Sequence, residues 1–122
     1  MHFFYAKLPV GSSLAGRERV FQEGLEAALA KEKAGSVLGW GDSLSHANTS
    51  RPARVAFHRI DIEITDFKPA LPLLQRTLVA LDAPVGTEIH YTVDATALQD
   101  VLGSAGWRTE PCTTTQRPTG LA

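Results

Sequence analysis

The stretch RVAFHRIDIEITD, which runs from Arg54 to Asp66, decides the fold class of this chain. Successive side chains of a β-strand point to opposite faces, so a strand with one buried face alternates between apolar and polar residues. Such an alternation is present here, with one set of residues suited to a core and the other to water. The first set is Ala56, His58, Ile60, Ile62 and Ile64, and the second is Phe57, Arg59, Asp61 and Glu63. The stretch therefore predicts a strand with one apolar face and one charged face.

A change of period at Asp66 marks the start of a helix. Beyond it, leucines recur at steps of three and four residues, which is the stripe of an amphipathic helix. These leucines are Leu71, Leu74, Leu78 and Leu81. Pro84 and Gly86 then end the predicted helix.

The same two patterns alternate through the rest of the chain. Upstream, the predicted elements are a strand over His2–Pro9, a helix over Arg17–Ala34 and a glycine-containing strand over Ser36–Leu44. Downstream, they are a strand over Thr87–Val93 and a short last helix over 94–103, whose apolar side is Leu98, Val101 and Leu102. The predicted order is βαββαβ followed by one more helix.

This order is that of the split βαβ, or ferredoxin-like, pattern. Right-handed crossovers place both helices on one face of an antiparallel sheet, with the first and third strands at its centre. We therefore predict an α+β, ferredoxin-like βαββαβ fold with two helices on one face and an added short C-terminal helix. Residues 1–107 would form a single domain, and the polar, proline-punctuated residues 108–122 a flexible C-terminal tail.

Composition narrows the classes of protein to which the chain can belong. Its 122 residues suit one domain, and a net charge of −1 argues against binding to a nucleic-acid backbone, which needs a basic excess. The single cysteine, Cys112, excludes an internal disulfide and a multi-thiolate metal site, which points to a reducing cytoplasm. No secretory signal pattern opens the chain, and no stretch reaches the ~20 apolar residues of a membrane span. We expect a cytoplasmic protein that binds neither nucleic acid nor membrane.

The sheet face that the predicted helices leave free carries the candidate functional residues. Alternation places aromatic and charged side chains on it, namely Phe3, Tyr5, Lys7, Arg59, Asp61, Glu63, Glu88 and His90. Aromatic rings among charges are typical of a binding surface, but cross-strand charge pairs that merely solvate a sheet produce the same pattern. Sheets that bind RNA also carry aromatics, yet the three carboxylates here would repel phosphate groups.

Catalysis and metal binding have less support in the sequence. His90 with Asp61 or Glu63 is chemically able to do acid–base work, but no nucleophile lies beside a base at a readable spacing. Histidines and carboxylates show no spacing typical of three or four metal ligands, and we expect no cofactor. The glycines around Trp40 match neither phosphate-binding pattern. They favour a bulged strand, with Trp40 as a candidate anchor at a protein interface.

Three runs of the sequence, GSVLGWGDSL, IDIEITD and LPLLQRTLVALDAPVGTEI, together resemble a pattern in small bacterial proteins. In those proteins a glycine-rich strand is followed by an acidic alternating strand, a leucine helix and a turn of the type GAP-x-G-T. The similarity covers about residues 35–90, and the turn here reads DAPVGT from Asp82 to Thr87. Some of these proteins look like immunity partners of polymorphic toxins. The resemblance implies a protein partner and brings no catalytic residues with it.

The expected function rests on the mixed aromatic and acidic surface together with this resemblance. We expect a non-catalytic, cytoplasmic protein-binding domain of the immunity type, which inhibits a bacterial toxin by steric and electrostatic occlusion. The expected partner contacts are Trp40, Asp42, Arg59, Asp61 and Glu63, and Phe3, Tyr5, Lys7, Glu88 and His90 form a second candidate site. Two alternatives stay open. One is a homodimer that holds a small ligand between two open sheet faces, and the other is a small enzyme that uses His90 with Asp61 or Glu63.

Overall fold

The computed structural model describes residues 2–9, 17–44 and 55–111, and this part of the chain forms two helices and six strands. The strands are β1 (His2–Pro9), β2 (Gly35–Leu44), β3 (Val55–Ile64), β4 (Glu88–Val93), β5 (Thr96–Gly103) and β6 (Gly106–Pro111). The helices are α1 (Glu18–Glu32) and α2 (Phe67–Ala80). One sheet has the order β2-β3-β1-β4-β5-β6, and each neighbouring pair is antiparallel. The predicted α+β class, an antiparallel sheet with two helices, is confirmed.

One face of the sheet meets both helices in a single apolar core. β3 contributes Ile60, Ile62 and Ile64, all fully buried, as the alternation of the sequence predicts. On β1, Ala6 opposes Ile60 and Phe4 opposes Ile62, so the two central strands share this face. The helices add further large side chains, which are Phe21, Leu25 and Leu29 from α1 and Leu73, Leu74 and Leu78 from α2. Burying each leucine or isoleucine contributes about 1.5–3 kcal/mol, and this apolar contact holds the helices on the sheet.

The chain after β4 differs from the prediction. The short helix expected through Leu98, Val101 and Leu102 is instead the strand β5. Leu98 and Leu102 are four residues apart, and because four is an even number the two side chains also share one face of a strand. Their partners across the ladders are Tyr91 on β4 and Trp107 on β6. The leucine spacing was thus compatible with both structures, and the strand is the one that pairs with a neighbouring strand on each side.

Tight turns connect the last three strands. Asp94 and Ala95, between β4 and β5, both have positive φ, at 49° and 67°. Two-residue hairpin turns of type I′ need positive φ at both positions and usually carry Asn-Gly or Asp-Gly. Because Ala95 takes the place of that glycine, the sequence did not indicate the hairpin. The predicted domain boundary at residue 107 falls inside β6, and the rest of the predicted tail, residues 112–122, lies outside the described residues.

A buried carboxylate ties α2 to the last three strands. Asp100 on β5 is fully buried on the helix side of the sheet. It accepts hydrogen bonds from the hydroxyls of Tyr91 and Thr109, both at 2.6 Å, and from the side-chain amide of Gln75 at 2.5 Å. A buried polar group without a partner costs about 1–3 kcal/mol, so these three donors make a carboxylate tolerable at this position. They also fix β5 and β6 against α2.

The phenol of Tyr91 should lose its proton at an unusually high pH, so its titration reports on this cluster. Burial, reinforced by the hydrogen bond to Asp100, raises the pKa of Tyr91 from 10.0 to about 12. Since the folded state favours the neutral phenol, the associated stability is fully present below pH 10 and is lost as the pH rises through 12.

A Tyr5→Phe variant keeps Tyr91 as its one tyrosine. Its tyrosinate absorbance should therefore appear at a pH well above the range in which tyrosine usually titrates. The free energy of unfolding should fall more steeply at high pH for the parent chain than for Tyr91→Phe. A tyrosinate transition at the ordinary pKa would contradict the burial of this phenol.

Candidate functional site

The face of the sheet away from α1 and α2, which we call the open face, gathers the predicted surface residues. The register sets Tyr5 of β1 opposite Asp61 of β3 on one side and His90 of β4 on the other. Lys7 likewise lies between Arg59 and Glu88. Eight predicted residues share this face: Phe3, Tyr5, Lys7, Arg59, Asp61, Glu63, Glu88 and His90. The alternation of the sequence was therefore sufficient to bring them together.

A stack of three side chains forms the centre of the open face. The rings of Tyr5 and His90 lie parallel, with centroids 4.6 Å apart and an interplanar angle of 7°. The guanidinium of Arg59 covers the Tyr5 ring, with its Cζ 3.9 Å from the ring centroid, and its Nε donates to Asp61 at 2.6 Å. His90 is only 3% exposed, because its neighbours cover the imidazole. The centre of the face is thus filled by side chains that contact each other.

A chain of charges continues from the stack along β4 and β1. Nε2 of His90 lies 2.6 Å from a carboxylate oxygen of Glu88, and Nζ of Lys7 lies 3.9 Å from the same oxygen. The Lys7 ammonium also sits 4.0 Å from the centroid of the Phe57 ring. These side chains contact each other, and the ammonium of Lys7 and the carboxylate of Glu88 form an ion pair within the protein.

The β2 side of the open face is different, because small residues border the charged residues of β3. The register sets Ser36 opposite Glu63, Gly39 opposite Asp61 and Gly41 opposite Arg59. Space beside both glycines is empty, since a Cβ added at either would meet nothing within 4 Å. We call Ser36, Gly39, Gly41, Asp61 and Glu63 the acidic shelf.

The two acidic groups of the shelf, Glu63 and Asp61, differ in their ion pairs. Among the described residues Glu63 forms no ion pair, whereas Asp61 is paired with Arg59. An open groove of about 320 Å³ runs beside Glu63 and is lined by Lys33, Gly35, Ser36 and Thr65. The shelf therefore presents a carboxylate beside an open groove.

The structure separates the five residues predicted as partner contacts. Arg59, Asp61 and Glu63 lie together on the open face, but Trp40 opposes Ile60 and so lies on the helix side of the sheet, where it is 59% exposed. The cause is a register shift between Val37 and Gly39, which inserts one extra residue into β2. Without it, simple alternation from Val37 would put Trp40 on the open face, because one residue of slip moves each side chain to the other side.

The backbone of Asp42 belongs to the same strand and opposes His58 in the register. His58 was expected to be a histidine of the core or its margin, and it is buried at 3% exposure with its Nε2 2.8 Å from the side-chain amide of Gln22. The predicted contact set is therefore divided between two surfaces of β2 and β3.

Residues of β5 and β6 extend the open face beyond the predicted set. Gln99 on β5 opposes both His90 and Glu110, so it continues the central row onto β6. Its amide donates to Glu110 at 2.9 Å, and Arg108 donates to the other oxygen of Glu110 at 3.0 Å. Hydrogen bonds from Arg108 and then Gln99 lower the pKa of Glu110 below its usual value. Because the leucine spacing predicted a helix here, the sequence did not show that Gln99 lies on the open face.

The space around His90, the candidate acid–base residue, is small. The space next to His90 on the open face, bordered by Phe3, Tyr5, Thr92 and Ala97, amounts to about 80 Å³. Within the described ranges, no three histidine, cysteine or carboxylate side chains gather so that they could hold a metal ion. Neither described helix is long and apolar enough to cross a bilayer. No family model, no curated protein and no solved structure matches the chain.

Proposed function

We propose that this chain is a non-catalytic, cytoplasmic binding domain of the immunity type, which inhibits a bacterial toxin by occluding it. The observation that carries the proposal is the acidic shelf, where the small β2 residues Gly39 and Ser36 lie opposite Asp61 and Glu63. The partner would present a basic surface to this shelf, and the flat sheet would cover that surface sterically. Complementary charge across an interface steers association and fixes the register of docking.

We also propose that the first six elements form a ferredoxin-like domain. The order β2-β3-β1-β4 within the sheet supports this assignment, as do the positions of α1 and α2 after β1 and β3. The hairpin of β5 and β6 would then be an addition at the β4 edge. It widens the face available to a partner without changing the central strands.

The filled centre of the open face supports binding in preference to catalysis. An enzyme that uses His90 with Asp61 or Glu63 needs a pocket for its substrate, and the space at His90 is about 80 Å³. The ring of Tyr5 stands between His90 and the β3 carboxylates, and His90 is engaged with Glu88. A ligand held between two open faces meets the same filled centre. A preorganised, filled surface instead lowers the entropy cost of binding a protein.

Charge reversal at the shelf should weaken partner binding at least about tenfold, which corresponds to about 1.4 kcal/mol. The variant is Glu63→Lys, because Glu63 forms no ion pair with described residues and its replacement should leave the fold intact. The partner would be isolated on the immobilised full chain from cells that carry its gene. Its toxic domain would then be co-expressed with each variant to measure neutralisation, and dissociation constants would be measured on the purified pair.

Glu26→Lys is the matched control, because it makes the same change of net charge at an exposed position of α1. It should bind and neutralise like the parent chain. A second variant, Gly39→Phe, fills the empty space of the shelf without changing charge and should also weaken binding. The proposal fails if no protein is retained, if the retained protein is not toxic, or if Glu63→Lys binds as tightly as Glu26→Lys.

A further inference from the structure

The two middle strands of the sheet, β1 and β4, separate at one end. Their ladder stops with Tyr5 opposite His90, although both strands continue beyond this pair. Residues 2–4 of β1 and 91–93 of β4 form no ladder pair with each other. Every second residue of a strand directs its backbone N–H and C=O to the same edge. Beyond the last pair, each of the two edges therefore presents backbone groups that the facing strand does not pair.

A cleft of about 490 Å³ lies between the separated strands. Its borders are His2 and Phe3 on β1, Thr92 and Val93 on β4, Asp94 and Ala95 in the following turn, and Phe67 on α2. The ring of Phe67 is held in place by three other aromatic rings at centroid distances of 5.4 to 6.0 Å. Sites for small organic groups have volumes of about 300–1,000 Å³. The cleft therefore has the size of such a site and a packed aromatic wall.

The groups that border the cleft favour a cation. Asp94 is exposed and forms no ion pair with described residues. No lysine or arginine of the described part of the chain lies on the border. The faces of the Phe3 and Phe67 rings and the unpaired carbonyl oxygens also carry negative partial charge. The positive end of α2 is offset by its N-cap residue, Asp66.

We propose that this cleft binds the side chain of an arginine from a protein partner. A guanidinium has five N–H donors in one plane, so it can donate to the Asp94 carboxylate and to unpaired carbonyl oxygens at the same time. Its planar head can also stack on the rings of Phe3 and Phe67. A lysine ammonium is a compact, strongly hydrated charge that does not stack in this way, so it should bind more weakly.

The position of the cleft links it to the acidic shelf. Phe3 opposes Glu63 in the register and is 50% exposed, so the cleft begins beside the shelf. A basic surface that covers the shelf would bring its side chains to the mouth of the cleft. The assignment of the arginine to a protein partner rests on the function proposed above, whereas the preference of the cleft for a guanidinium does not.

Short peptides test the cleft on the purified full chain without the partner. The probe is acetyl-Gly-Arg-Gly-amide, and in the control peptide citrulline replaces arginine, which keeps the shape and removes the charge. A ligand of this size should bind with a dissociation constant of about 1 mM. In an NMR titration, the amides of residues 2–3 and 92–95 should shift. The citrulline peptide should bind at least about tenfold more weakly, because charge-assisted hydrogen bonds are the stronger ones.

Asp94→Asn should weaken binding of the arginine peptide at least about tenfold, since it removes the carboxylate charge. Asparagine tolerates the left-handed backbone at this position, where φ is 49°, so the turn should be retained. Asp82→Asn is the matched control, because Asp82 is also exposed, has a φ of 66° and follows the opposite end of α2. It should bind like the parent chain. Phe3→Ala should weaken binding as well, because it removes one of the rings.

Three results would overturn the guanidinium site: no binding of the arginine peptide, equal binding of the citrulline peptide, or equal binding by Asp94→Asn and Asp82→Asn. The isolated partner should also bind Asp94→Asn more weakly than Asp82→Asn. If the peptide discriminates between these variants and the partner does not, the arginine does not come from the partner. The peptide titration is independent of Glu63→Lys and of partner isolation, so failure of the cleft and failure of the proposed function are distinguishable.

Discussion

Replacing Gly35 by alanine should destabilise the protein by about 3 kcal/mol or more, a large effect for the addition of one methyl group. Gly35 is the first residue of β2 and opposes Ile64 at the end of β3. A Cβ at this position would lie far inside the van der Waals distance of the Glu63 carbonyl oxygen. That oxygen belongs to a backbone held in the sheet, so it cannot rotate away as a flexible side chain would. The strands β2 and β3 must separate locally to admit the methyl group.

The comparison variant is Gly39→Ala, which adds the same methyl group four residues along the same strand. Nothing lies within 4 Å of a Cβ at Gly39, so this variant should differ from the parent by less than about 1 kcal/mol. Urea unfolding of both variants, followed by circular dichroism, gives the two free energies of unfolding. Equal stability of the two variants would show that the backbones of β2 and β3 are not in close contact at Gly35.

The alternation between Arg54 and Asp66 predicted the inner strand β3, because one face of this strand packs against the helices and the other belongs to the open face. Ile60 and Ile62 face the helices, and the side chains that alternate with them, Arg59 and Asp61, have to face away. The same reasoning applied to β1 and β4 assembled the open face without any knowledge of the register. Periodicity is reliable here because both faces of the strand are constrained by their environment.

The position of Trp40 could not be predicted, because it depends on one extra residue in an edge strand. The glycines on either side of Trp40 indicated a bulge, and β2 does show a register shift between Val37 and Gly39. Sequence alone does not tell on which side of Trp40 such a shift occurs. Because the shift precedes Trp40, the side chain of Trp40 lies on the helix side of the sheet and away from Asp61. The same shift brings Gly39 next to Asp61, and this creates the space of the acidic shelf.

The strand β5 was mistaken for a helix because its core side contains a carboxylate. Between Leu98 and Leu102, the residue on the same face is Asp100, and an aspartate there breaks the apolar alternation that indicates a strand. The hydrogen-bond donors that make its burial possible come from Gln75, Tyr91 and Thr109. Two of these residues lie 9 positions from Asp100 and the third lies 25 positions away, so no pattern within the strand itself could have shown that the aspartate belongs to the core.

Asp100→Ala, which removes this carboxylate, should lower the free energy of unfolding by about 3 kcal/mol. The loss leaves the buried hydroxyl of Tyr91 without its acceptor and creates a cavity between α2 and the sheet. Gln75 and Thr109 lose their acceptor as well, but they are less buried and can turn to water. Tyr91→Phe should cost only about 1 kcal/mol, because the carboxylate keeps its other two donors.

Asp100→Asn separates the loss of hydrogen bonds from the loss of charge. The asparagine keeps the volume of the side chain and an oxygen that can accept from Tyr91 and Thr109, while the amide of Gln75 can turn to present its own oxygen. We therefore expect it to cost about 1 kcal/mol, well below Asp100→Ala. Urea unfolding measures all three variants, and hydrogen exchange should show that the loss in Asp100→Ala is greatest in β5 and β6. If Asp100→Ala were as stable as the parent chain, the cluster would not be what holds these two strands against α2. The acidic shelf lies at the opposite side of the sheet, so partner binding measured below the unfolding temperature should be the same for all three variants.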